Sequence, residues 1–114
     1  MTTIRDIISA YQNELAKGDL QPQRAAEILT ELSALIGNIL DEIQKREVAY
    51  NKVLLLSLEV EKSANKAKIQ AEVSQEYQDF RTAKNTYEVA KEMIRALKYL
   101  LRAKEEEYRQ SGNF

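Results

Sequence analysis

The chain has 114 residues, enough for one domain with a modest core. Acidic side chains (18) and basic ones (17) nearly cancel, so no global field draws in nucleic acid or an anionic membrane, and such binding needs a local patch. Cysteine and histidine are absent, which removes disulfides, thiolate chemistry, Cys-ligated zinc, the usual general base and the commonest metal ligand.

The first element is a short helix expected over about residues 3–17. Ile4, Ile7, Ile8, Tyr11 and Leu15 recur at three- and four-residue spacing, and Thr2 or Thr3 supplies the cap. Lys17-Gly18 offers a cationic last turn and a residue that accepts the left-handed conformation after it. Arg5 and Asp6 interrupt the apolar residues, so the segment does not read as a signal peptide. No run approaches the ~18–20 apolar residues of a membrane span. These features predict an intracellular, cytoplasmic protein with no membrane partner.

The second helix is expected from Pro22, which suits the first helical position, to about residue 62, with Asp19 or Gln21 as its cap. Its apolar residues fall in heptads: Ala25, Leu29, Leu32, Ile36, Ile39, Ile43, Tyr50, Val53, Val60, Ala64, Ala67 and Ala71. Arg46 and Ser57 are polar exceptions, and Leu40, Leu54, Leu56 and Leu58 widen the stripe beyond a two-stranded seam.

A second heptad frame runs from Val73 through Phe80, Ala83, Tyr87, Ala90, Ile94, Leu97 and Leu101 to Tyr108. The two frames are out of step by two residues, which requires a turn or a coiled-coil discontinuity. A turn at Lys62–Lys66, with Asn65 as a left-handed cap, leaves a third helix at about 66–110 of nearly the same length as the second. Folding there also sets a net acidic segment (24–47) beside a net basic one (81–104). Ile36 and Ile39 then approach residues 87–97, and Ile4, Ile8 and Tyr11 of the first helix pack across the open end. No glycine or proline enforces the turn, so one unbroken helix is the alternative. The fold expected is therefore all-α: a single helical domain, 1–114, in which a short N-terminal helix precedes a long antiparallel, coiled-coil-like hairpin that oligomerises into a bundle.

Three constellations bear on function. Arg81, Lys84, Lys91, Arg95, Lys98 and Arg102 follow helical steps along one side of the last helix. Such a stripe suits phosphates or an acidic partner, although Glu88 interrupts it and Glu105-Glu106-Glu107 ends it. Tyr77, Phe80, Tyr87 and Tyr108 fall on the apolar seam rather than beside the stripe, so they read as packing; Tyr99 alone stands clearly off it. Glutamate pairs at helical spacing (Glu27/Glu31, Glu72/Glu76, Glu88/Glu92) lack the histidines of a di-iron bundle. With no phosphate loop or nucleophile elbow either, no enzyme, cofactor or metal site is expected. The run Val53-Leu54-Leu55-Leu56 is apolar around most of the helix, and a hairpin covers one side of it. Val53, Leu54, Leu56 and Leu58 are accordingly the expected oligomer interface.

The tail from Tyr87 to Arg109, YEVAKEMIRALKYLLRAKEEEYR, resembles the ends of small coiled-coil proteins encoded in bacteriophage genomes, often beside replication and recombination genes. The resemblance implies a phage accessory protein that acts in the bacterial cytoplasm by binding host or phage machinery. It assigns no role to any residue. The leading expectation is a self-associating interaction protein with a protein partner; the alternative is a nucleic-acid-binding accessory factor of replication or recombination that uses the basic stripe.

Overall fold

The computed structural model describes residues 2–61 and 63–112. Among them the chain is all-α, with α1 (Ile4–Ala16), α2 (Pro22–Val60), α3 (Ala64–Glu72) and α4 (Gln75–Gly112) and no strand. α2 and α4 pack against each other as a helical hairpin. The packing divides into two compact units: one joins residues up to Gly37 with those from Glu88 onward, and the other comprises Asn38–Tyr87.

The first unit is a three-helix arrangement built by α1, the start of α2 and the end of α4. Thr3 caps α1: its hydroxyl accepts from the Asp6 N–H at 3.1 Å, and the Asp6 carboxylate accepts from the Thr3 N–H at 3.1 Å. Those bonds hold the Asp6 carboxyl below its ordinary pKa. The helix ends where Gly18, at φ +78°, turns the backbone into the left-handed region. α2 takes Gln21 rather than Asp19 as its cap, since the Gln21 carbonyl accepts from Ala25 at 2.9 Å.

A helix of thirteen residues is marginal alone in water, so α1 depends on what it buries. Ile8 supplies that contact, in a core with Ala25, Ile28 and Leu32 of α2 and Ala90, Met93 and Leu97 of α4. Each large aliphatic side chain so buried contributes about 1.5–3 kcal/mol. Ile4 and Tyr11, expected to pack with Ile8, are half-buried. Arg24 fixes the seating of α1: its guanidinium donates to both Glu14 carboxylate oxygens, at 2.8 and 2.9 Å, and stands 5.8 Å from the centre of the Tyr11 ring.

The second unit contains the chain reversal. α2 stops at Val60, and Ser63 caps α3 by accepting from the Lys66 N–H at 3.4 Å. Lys62, one end of the expected turn, lies outside the described residues. Asn65 is not a left-handed cap; it is the second residue of α3, and no described non-glycine residue has positive φ. The serine hydroxyl meets an orphan N–H of the new helix from an extended backbone, at φ −98° and ψ 126°.

A second interruption divides the helix expected over 66–110. Val73 and Ser74 separate α3 from α4, and the Ser74 hydroxyl works in both directions. It donates to the Ala71 carbonyl at 2.5 Å and accepts from the Tyr77 N–H at 3.2 Å, closing one helix and starting the next. The two-residue slip between heptad frames is absorbed here.

Ile39, Ala67, Ala71 and Ala83 are buried in this unit. Tyr50 packs on Tyr77, with ring centres 5.0 Å apart, and on Phe80 at 5.9 Å. Burial, with Glu72 adding to it, raises the Tyr50 phenol above its ordinary pKa. Arg46, a polar residue in an apolar frame, donates to Glu42 at 2.7 Å and reaches Asp79 of α4 at 3.6 Å. The Glu42 bond, followed by the fields of Glu42 and Asp79, raises its pKa.

Several expected core positions are exposed: Val60, Ala64 and Val73 flank the reversal, where no helix covers them, and Tyr108 sits near the end of α4. Ile28 and Met93 are more deeply buried than their neighbours Leu29 and Ile94, which the heptad frames had favoured. Ile36 belongs to the unit containing residues 88 onward, whereas Ile39 belongs to the other.

Candidate interaction surface

α2 in the second unit is apolar on two sides. Its inner side carries Ile39, Ile43, Tyr50 and Val53, which advance by four, seven and three residues and so stay in line. Off that line lie Leu40, Val48, Leu55 and Leu58, exposed by 45, 48, 62 and 42%, with Val48 and Leu55 nearly opposite it. Leu56 and Val60 form a further exposed flank, and Ile69 of α3 is open as well. Of the four residues expected at an interface, Leu56 and Leu58 are exposed, and Val53 and Leu54 are half-buried. The heptad reading followed one seam, counted Leu40 as widening it and passed over Val48. A second 4-3 spacing, offset to the far side of the same helix, was the available signal.

The basic residues of α4 are largely tied down. Lys91 lies 3.5 Å from Glu88, and Arg95 lies 2.6 Å from Glu92. Lys84 stands 5.2 Å from the Phe80 ring centre. Arg81, Lys98 and Arg102 are exposed. Arg81 and Lys84 belong to the second unit, the other four to the first. Pairs between residues three apart on one helix lower the net field available to a phosphate track.

The glutamates suspected as paired carboxylates are partly engaged in the same way: Glu27 with Arg24, Glu88 with Lys91 and Glu92 with Arg95. The bidentate Arg24 contact lowers the Glu14 carboxyl below its ordinary pKa, and Arg24 is raised in turn. Among the described residues no cluster of three or more Asp, Glu, His or Cys is placed to hold a metal ion. Nor is any helix there long and apolar enough to cross a membrane.

The first unit has two open depressions. One lies among Pro22, Leu101, Lys104 and Tyr108, the other among Leu15, Val89, Met93 and Ala96. Glu105 and Glu107 also line the first, and Gln12, Glu88 and Glu92 the second. No protein-family model, curated protein or solved structure matches the chain.

Proposed function

We propose that the chain is a non-enzymatic helical interaction protein that self-associates and presents a surface to a protein partner. The observation that carries this reading is the exposed apolar surface of α2 in the second unit: Leu40, Val48, Leu55, Leu56, Leu58 and Val60 lie on one helix within the span of the hairpin turn and its approach. Scattered apolar side chains are ordinary on a monomer, but a grouped set of this kind marks a contact surface. The pairing of Lys91 and Arg95 within α4 favours this reading over a nucleic-acid track. An accessory role in a phage-infected bacterial cytoplasm, which the tail's resemblance implies, accords with a protein that acts by binding. Light scattering at micromolar concentration tests the proposal: particles contain more than one chain, and Leu58→Glu reduces them, because a charge buried at an apolar seam without a partner is strongly unfavourable. A wild-type chain that stays monomeric at that concentration refutes it.

A further inference from the structure

The outer side of α2 carries a complete short coiled-coil seam. Gln44, Val48, Asn51, Leu55 and Leu58 advance by four, three, four and three residues, which is the spacing of alternating core positions in a left-handed supercoil. All five are exposed, and all lie within the second unit. Nothing in the chain's own packing requires this pattern, since the hairpin core is served by Ile39, Ile43 and Tyr50 on the other side.

We propose that a second copy of this chain docks on that seam through its own α2, parallel and in register, so that Val48, Asn51, Leu55 and Leu58 each meet their equivalents. The proposal rests on the self-association argued above and specifies its partner, face and direction.

Charge determines the direction. The seam is flanked on one side by Lys45, Lys52 and Glu59 and on the other by Leu40, Glu47, Leu54 and Glu61. In a parallel pair the flanking residue before one heptad meets the opposite flank five residues later on the partner helix. Glu47 then faces Lys52 of the second copy, twice by symmetry, while Leu40 meets Lys45 and Leu54 meets Glu59. No like charges oppose each other. In an antiparallel pair each flank meets itself. The register that stacks Val48 on Leu58 opposes Lys52 with Lys52 and Glu47 with Glu61. Shifting by one heptad in one direction sets Lys45 against Lys52; shifting in the other pairs Lys52 with Glu59 but leaves Val48 and Asn51 opposite residues beyond the end of α2 at Val60. Like-charge juxtaposition of this kind disfavours the first two arrangements. Glu47 and Lys52 are exposed and, among the described residues, take part in no ion pair within the chain, so both remain available.

Asn51 sets the register. An amide between Val48 and Leu55 is satisfied when it meets the same amide across the two-fold axis, whereas a slip of one heptad sets Asn51 of one copy against Leu58 and leaves it unpaired.

The test uses the full chain, which has no cysteine, so that single-cysteine variants label at one site. Light scattering should give a mass of two chains. Leu55→Glu and Leu58→Glu should each halve it, while Leu56→Glu, on the neighbouring flank, should leave it unchanged; far-UV circular dichroism checks that the helices persist in all three. Glu47→Lys and Lys52→Glu should each weaken the dimer roughly tenfold, and the double exchange should restore it, as expected for two exposed pairs turned from attraction to repulsion. Spin labels at Asp41→Cys should lie within about 20 Å across the dimer, against an axial offset of about 36 Å for the antiparallel register that stacks Val48 on Leu58 and about 25 Å for the one shifted by a heptad, at 1.5 Å per residue. A dimer broken by Leu56→Glu but not by Leu55→Glu, a long label distance, or failure of the double exchange overturns the parallel seam and leaves self-association standing. A mass above two chains does the same. A monomeric wild type overturns both.

Discussion

Ser74→Ala tests the break in the second arm of the hairpin, because the same substitution has opposite signs on a broken and on a continuous helix. Within an unbroken helix alanine is the better former, so the change stabilises by up to about 0.7 kcal/mol. At the observed break it removes the hydroxyl that accepts from Tyr77, a capping loss of about 1 kcal/mol. It also strips a donor from the Ala71 carbonyl in a half-buried setting, a further loss of about 0.5–1.5 kcal/mol. After the propensity gain is subtracted, the net destabilisation is about 1–2 kcal/mol. At this chain length the melting temperature should fall by about 4–8 °C. Ser33→Ala is the internal control. Ser33 sits exposed in the middle of α2 and donates to the Leu29 carbonyl at 2.8 Å, a back-bond that gives a helix little. It should stabilise slightly. Both variants are measured by thermal and urea unfolding at one fixed protein concentration, because association raises apparent stability with concentration. If Ser74→Ala stabilises as Ser33→Ala does, α3 and α4 form one helix and the account of the break is wrong.

Truncation separates the core of the first unit from the outer side of α2: Leu32→Ala or Leu97→Ala should cost about 2–5 kcal/mol in urea unfolding, whereas Leu55→Ala at high dilution should stay within about 0.5 kcal/mol. Equal costs would contradict the assigned burial. The Glu14–Arg24 contact should be visible in pH dependence. Because the folded state lowers the Glu14 pKa, the pair stabilises above the ordinary carboxylate range, and that contribution disappears as pH falls through the lowered value. The stability gap between wild type and Arg24→Met should therefore narrow in acid, and a gap independent of pH would refute the coupling. For the basic stripe, no DNA mobility shift is expected; a shift that weakens steeply with salt and on charge reversal of Arg95 and Lys98 would reinstate the nucleic-acid reading.

Sequence reasoning reached the helices more readily than their interruptions. Periodicity identified α1 and the face that holds Ile8, and Thr3, Gly18 and Pro22 carried enough local chemistry to mark its ends and the start of α2. The slip between heptad frames announced a discontinuity, but its location depended on two serines. A serine in a helical sequence reads equally as an interior residue or as a cap, since the choice turns on whether its hydroxyl faces a free N–H. Ser74 was therefore illegible as a break, and within the turn expected at Lys62–Lys66 the capping role of Ser63 went to Asn65 because of its tolerance of the left-handed region. Opposite net charge on the two arms was a weak guide for a related reason. Pairs such as Lys91–Glu88 and Arg95–Glu92 form within α4, because residues three apart on one helix are already neighbours. The outer seam of α2 went unread because an apolar periodicity is ordinarily attributed once, to the core, and Leu58 had been counted as widening the inner stripe while Leu55 was read only as part of the apolar run Val53-Leu54-Leu55-Leu56.

The division into two units has a kinetic consequence. The second unit joins residues that are close along the chain, so its contacts close short loops. The first must bring residues before Gly37 together with residues beyond Glu88, across the whole intervening stretch. Loop-closure entropy favours the near contacts in time as well as in free energy. Once Tyr50 has met Tyr77 and Phe80, the far ends of α2 and α4 are linked by a much shorter effective loop, and pairing advances outward from the bend. α1 is then the last piece to find its place, waiting for a platform that exists only after the arms have closed. Slowed refolding should follow from mutations at the aromatic cluster, whereas faster unfolding with little change in refolding should follow from mutations at Ile8.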